Sequence, residues 1–166
     1  MLNIIQRGFL ALMFSAALLL PSVLKAQQPK DVGPIPAQIV AARKVFISNG
    51  SGECGVFYCS TPQQPYNEFY ADMKNWGRYE LVTAPADADV VFEIATPSVP
   101  GTLPDVRLVI LDPKTRLPLW TLDEYVRQAA RRATARKNFS KAVSVLVQDV
   151  QRLVGTVPTT TGAPVK

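Results

Sequence analysis

Residues 65–82 read PYNEFYADMKNWGRYELV, and this stretch decides the fold. Tyr66, Phe69, Met73 and Trp76 recur at spacings of three and four, which places one apolar stripe along a helix. Glu68 lies near the positive end of that helix, and Gly77 is the residue expected to stop it. RYELV follows at once and reads as a strand. Upstream, ARKVFISNG (42–50) sets Val45, Phe46 and Ile47 in succession before an Asn-Gly punctuation. That pattern predicts a first strand buried on both faces. Strand, helix and strand together make a βαβ unit with a right-handed crossover.

Downstream, TAPADADVVFEIA (83–95) predicts a turn or one helical turn at Pro85–Ala88, then a third strand through Val90, Val91, Phe92 and Ile94. PSVPGTLPD (97–105) is a proline- and glycine-rich surface loop. In DVRLVILDPKTRLPLWTLDEYV (105–126) two strands meet at Asp112-Pro113-Lys114-Thr115, a turn opened by Asp with Pro in its favoured second position. An antiparallel hairpin is the economical interpretation. KNFSKAVSVLVQDVQRLVG (137–155) carries a broad stripe of Phe139, Val143, Leu146, Val147, Val150, Leu153 and Val154, with Asn138 as the expected cap and Gly155 as the end. The whole predicts an α+β fold: one mixed sheet of about five strands with two long helices on one face, in the order β-α-β-(α)-β-β-β-α.

The flanks read differently. MLNIIQRGFLALMFSAALLLPSVLKA has one early cation, Arg7, an apolar run from Gly8 to Leu20, a break at Pro21 and a small residue at Ala26. This is the plan of a secretory signal peptide over residues 1–26, and the run is shorter than the roughly 20 residues of a spanning helix. Cleavage after Ala26 removes Arg7 and Lys25 and no acid, so the net charge falls from +5 to about +3. Residues 27–38 are expected to form an extended leader, 39–155 the α+β domain and 156–166 a disordered tail. The predicted destination is the periplasm or the outside of the cell.

Two cysteines, Cys54 and Cys59, stand in SGECGVFYCSTP (51–62). In an oxidising compartment a structural disulfide is the default reading. Free thiols and a redox or metal pair are the alternatives. A metal site is poorly served by a chain with no histidine, and the spacing exceeds that of C-x-x-C. A clip this short contributes on the order of 2 kcal/mol through the unfolded state, so its role is local shape.

No catalytic signature emerges. Asp87, Asp89 and Asp112 sit in turn contexts that account for them as solvated turn residues. Without histidine, a serine nucleophile among Ser48, Ser51, Ser60 and Thr61 would need Lys44 or Lys74 as its base. SNGSG (48–52) lacks the Gly-Lys-Ser/Thr ending of a phosphate loop and reads as a flexible turn. No metal and no cofactor is implied. Tyr125–Gln148 holds six cations, Arg127, Arg131, Arg132, Arg136, Lys137 and Lys141, and no acid. The bland reading is a solvated linker and first helical turn; the functional one is contact with an anionic envelope surface such as lipid head groups. Nucleic acid is not an expected partner, because export is predicted and no aromatics are interleaved with these cations. Most of the aromatics around the first helix, Tyr66, Tyr70, Trp76 and Tyr79, are expected in the core, with Tyr58 and Tyr70 open to exposure.

KVFISNG, YNEFYADMKNWGRYELV, PADADVVFEI and RLVILDPKTRLPLWTL together resemble an uncharacterised family of small secreted bacterial proteins over about residues 40–155. That resemblance implies no activity. More loosely, the element order resembles envelope α/β domains such as the N-terminal domain of TolB and the lipoprotein activators of penicillin-binding proteins, which implies a binding role towards other envelope proteins. The sequence therefore predicts a non-catalytic exported accessory protein that binds another envelope protein through the loop from Asn49 to Gln64, with Asn49, Glu53, Phe57 and Tyr58 as contacts. A histidine-free envelope hydrolase, combining Asp87, Asp89 or Glu93 with a lysine, is one alternative. The other is a structural protein using Arg127, Arg131, Arg132, Arg136 and Lys137 on an anionic surface.

Overall fold

A computed structural model describes residues 33–50, 52, 54–97 and 104–155. The predicted signal peptide, most of the leader, the centre of the 97–105 loop and the tail lie outside the described residues. Five strands form a single mixed sheet: β1 (Lys44–Asn49), β2 (Glu80–Leu81), β3 (Val90–Ala95), β4 (Asp105–Leu111) and β5 (Pro118–Tyr125). Their order across the sheet is β2-β1-β3-β4-β5, with β1 parallel to both neighbours and the β3–β4 and β4–β5 pairs antiparallel. Three helices accompany it, α1 (Ala37–Ala41), α2 (Gln64–Trp76) and α3 (Arg132–Gly155), with a 3-10 turn at Pro85–Asp87. The expected α+β class is the one observed.

Register explains where the core sits. Ile47 lies opposite Phe92, Phe92 opposite Ile110, and Ile94 opposite Leu108, so one row of apolar side chains crosses three strands on a single face. On that face α2 packs against β1 and β3, α3 packs against β4 and β5, and the two helices pack against each other. Phe69 and Met73 from α2 and Phe139, Val143, Leu146 and Val150 from α3 are the buried knobs. Each removes roughly 1.5–3 kcal/mol worth of apolar surface from water. Trp76 and Tyr79 meet edge to face at 5.4 Å, and Tyr79 meets Phe92 at 5.8 Å, closing the core beneath β2.

Several expectations need correction. β1 is not buried on both faces: Val45 and Ile47 are buried while Phe46 and Ser48 are only partly covered, because both long helices lie on the same side of the sheet. α3 begins at Arg132, well before the expected cap at Asn138, since RATAR is made largely of good helix formers and Ala135 extends the buried stripe one turn from Phe139. Asn138 is therefore inside the helix. Its Nδ2 donates to the Arg127 carbonyl oxygen at 2.9 Å and ties the preceding loop to the helix flank. α1 was not foreseen. Gln38 of α1 donates to the Asp89 carbonyl oxygen and to Asp112 Oδ2, at 2.9 and 3.0 Å, so this short helix braces the end of the sheet where β3 begins and β4 finishes.

Candidate functional site: a clipped loop seated on the basic end of a helix

Beyond Asn49 the chain turns away from the sheet against the end of β3. The Gly50 amide donates to the Ile94 carbonyl oxygen at 2.6 Å, and a Cβ on Gly50 would meet that oxygen and Ala95 Cβ at 2.9 Å. Gly52 has φ +122°, and a Cβ there would stand 2.0 Å from the Thr96 carbonyl oxygen. SNGSG is thus neither a phosphate loop nor simply a flexible turn. Its glycines allow two backbones to touch.

The path leads into a disulfide between Cys54 and Cys59, with Cα atoms 5.7 Å apart. Inside the clip the Gly55 carbonyl oxygen accepts from the amides of Tyr58 and Cys59 at 2.8 and 3.1 Å, which closes one tight turn. Cys59 is 2% exposed and belongs to the core, and Tyr58 leans on the core beside it. The tip points the other way: Val56 is 74% exposed and Phe57 38%. Phe57 and Tyr58 hold each other edge to face with centroids 5.3 Å apart. On the exit side the Ser60 amide donates to Gln64 Oε1, and Gln64 Nε2 to Glu68 Oε1, joining the clip to the first turn of α2.

The start of α3 holds the clip from the other flank. Arg132 donates from Nε and Nη2 to the Val56 carbonyl oxygen at 3.0 and 2.7 Å, a forked arrangement suited to a guanidinium. Arg136 Nη2 approaches the Cys59 carbonyl oxygen at 3.5 Å. Tyr58 also shares a shallow cleft with Gln128, Ala129 and Ala130 of the loop before α3. Two segments about 75 residues apart in sequence therefore form one apex, apolar at Val56 and Phe57 and cationic on the flank held by Arg132 and Arg136. Among the described residues no ion pair joins a carboxylate to Arg127, Arg131, Arg132 or Lys137, all of which are exposed.

Of the predicted contacts, Phe57 and Tyr58 lie in this apex and Arg132 and Arg136 support it; Arg131 precedes Arg132 in the chain, and Arg127 lines a separate cleft with Glu124 and Lys141. Asn49 stands at the exposed end of β1, and Glu53 lies outside the described residues. Val56, the most exposed apolar side chain of the clip, was missed; a loop has no periodicity from which to tell outward from inward positions.

The residues weighed for acid–base chemistry are dispersed. Asp89 Oδ2 accepts from the amides of Arg43 and Lys44 at 2.8 and 2.9 Å, and these two bonds hold its pKa below the usual carboxylate value. Asp112 Oδ1 accepts from the amides of Lys114 and Thr115 and from Thr115 Oγ1, while Gln38 serves Oδ2; its pKa falls to about 2, with the Thr115 amide as the first cause. Both carboxylates organise backbone. Glu93 meets Arg116 at 3.4 Å on the helix-free face of the sheet. Ser48 is about 13 Å along the strand from Lys44, too far to be activated by it. The carboxyl group with a raised pKa is one the sequence did not single out: Glu124 on β5, desolvated beneath α3 and beside Asp149, with Arg152 acting in the opposite sense. Among the described residues no group of three or more His, Cys, Asp or Glu side chains is placed to hold a metal ion, and no helix is long and apolar enough to cross a membrane.

No protein-family model matches the chain, and no curated protein is similar to it. Among solved structures it is similar to the PelC dodecamer from Paraburkholderia phytofirmans, with a TM-score of 0.37 and 13% identity over 66% of this chain and 86% of that one. It is also similar to the uncharacterized lipoprotein B from Nitrosomonas europaea, with a TM-score of 0.38 and 13% identity over 68% of this chain and 81% of that one. These are loose likenesses of fold, without a counterpart in sequence.

Proposed function

We propose that the protein is a non-catalytic, exported accessory protein of the bacterial envelope that docks through the apex formed by the clip and the start of α3. The observation that carries this reading is the forked bond from Arg132 to the Val56 carbonyl oxygen, which holds an apolar tip away from the core. Ordering a loop before it binds removes an entropic cost from association. The disulfide supports an oxidising compartment. Export itself rests on the predicted signal peptide.

The test places a photo-crosslinking residue at Val56 in the native host, with a second at exposed Lys114, beyond β4 on the turn to β5, as control. Adducts with envelope components at position 56, absent at 114 and lost on Arg132→Gln, support the reading. Equal labelling at both positions, or none at 56, overturns it.

A further inference from the structure

We infer that the apex docks on an anionic phospholipid surface, with Val56 and Phe57 entering the head-group boundary and Arg127, Arg131 and Lys137 meeting lipid phosphates. This inference rests on the docking reading above and gives it a ligand class. Its first support is charge complementarity. From Tyr125 to Gln148 the chain carries six cations and no acid. Two carboxylates of α2 are engaged by α3: Ser140 Oγ donates to Glu68 Oε1 and Ser144 Oγ to Asp72 Oδ2, each at 2.9 Å.

The second support is shape. A protein partner of standard interface size covers about 800 Å² on each side and centres on anchors buried in pockets. Here Val56 stands exposed and Phe57 part-exposed on a disulfide-clipped turn, and the cleft beside them is shallow. An exposed apolar tip held by a segment rich in exposed cations suits a diffuse anionic boundary, where each lysine or arginine near the surface strengthens binding about fivefold. Arg132 and Arg136 have a different task, because their guanidiniums already serve carbonyl oxygens of the clip. They position the tip.

The protein isolated from its host envelope, disulfide intact, would be sedimented with vesicles of phosphatidylcholine alone and of phosphatidylcholine mixed equally with phosphatidylglycerol. Binding is expected only to the mixed vesicles and to weaken with salt. Replacing Arg127, Arg131 and Lys137 by Gln should weaken it roughly a hundredfold. The pair Val56→Ser and Phe57→Ser should weaken it about tenfold, with unchanged thermal unfolding showing that each variant folds. Equal binding to both vesicle types, or binding indifferent to these substitutions, overturns the lipid assignment. If vesicles are not bound while the residue-56 crosslink still captures an envelope protein, the docking reading stands and the lipid assignment falls; loss of both overturns both.

Discussion

The guanidinium of Arg132 spans the gap between α3 and the clip and places two donors on the carbonyl oxygen of Val56, at 3.0 and 2.7 Å. A backbone oxygen in a loop is thereby held by a side chain 76 positions away in sequence. Replacing Arg132 by Lys keeps the charge and loses the fork. The expected cost to global stability is about 1 kcal/mol or less, since the site is open to solvent. Amide exchange at Val56, Phe57 and Tyr58 should quicken while that of β3 and β4 stays unchanged. Unaltered exchange in the clip would show that Arg132 does not hold it.

The disulfide acts on the same loop by a covalent route. Cys54→Ser with Cys59→Ser should lower unfolding free energy by on the order of 2 kcal/mol in urea titrations. Association with the envelope should fall by more than that loss explains. Equal association by a folded double variant would rule out a pre-formed loop.

Backbone contact at the neck of the loop sets a further constraint. Gly52→Ala would bring a Cβ to 2.0 Å from the Thr96 carbonyl oxygen at a φ that disfavours any side chain. A loss of roughly 2–4 kcal/mol is expected. Gly55→Ala meets nothing within 4 Å and should change stability by less than about 0.5 kcal/mol. Equilibrium unfolding of the two variants separates a required glycine from a tolerated one.

Under α3, Glu124 gives stability a pH dependence of definite sign. Desolvation first, and then the neighbouring Asp149, raise its pKa above the ordinary value of 4.5, so between the unfolded and folded values the folded state binds more protons than the unfolded chain. Its contribution is fully present below the unfolded value and is lost as pH rises through the folded one. Glu124→Gln should therefore raise the melting temperature at neutral pH, and the advantage should vanish below about pH 4.5. An advantage independent of pH would point to packing instead of ionisation.

Much of this fold is legible in sequence because its signals are local. The stripe of Phe69 and Met73 marks α2, Gly77 at φ +70° ends it, and the Asp112 turn joins β4 to β5. Three features escape for physical reasons. α1 spans five residues and buries only Ile39, too little for a period to show. The exposure of one face of β1 depends on both helices choosing the other side, which no single strand encodes. The seating of the clip on α3 uses carbonyl oxygens as acceptors, and every residue has one, so no side-chain motif announces it.

The apex is the proposed surface of contact with the envelope. Amide hydrogen exchange of the protein, free and bound to its envelope fraction, tests this most directly. The prediction is slowing at residues 55–59 and 127–137, with the outer edge of β5 and the helix-free face of the sheet unchanged. Slowing along β5 or that open face, with the clip exchanging as in the free protein, would contradict it.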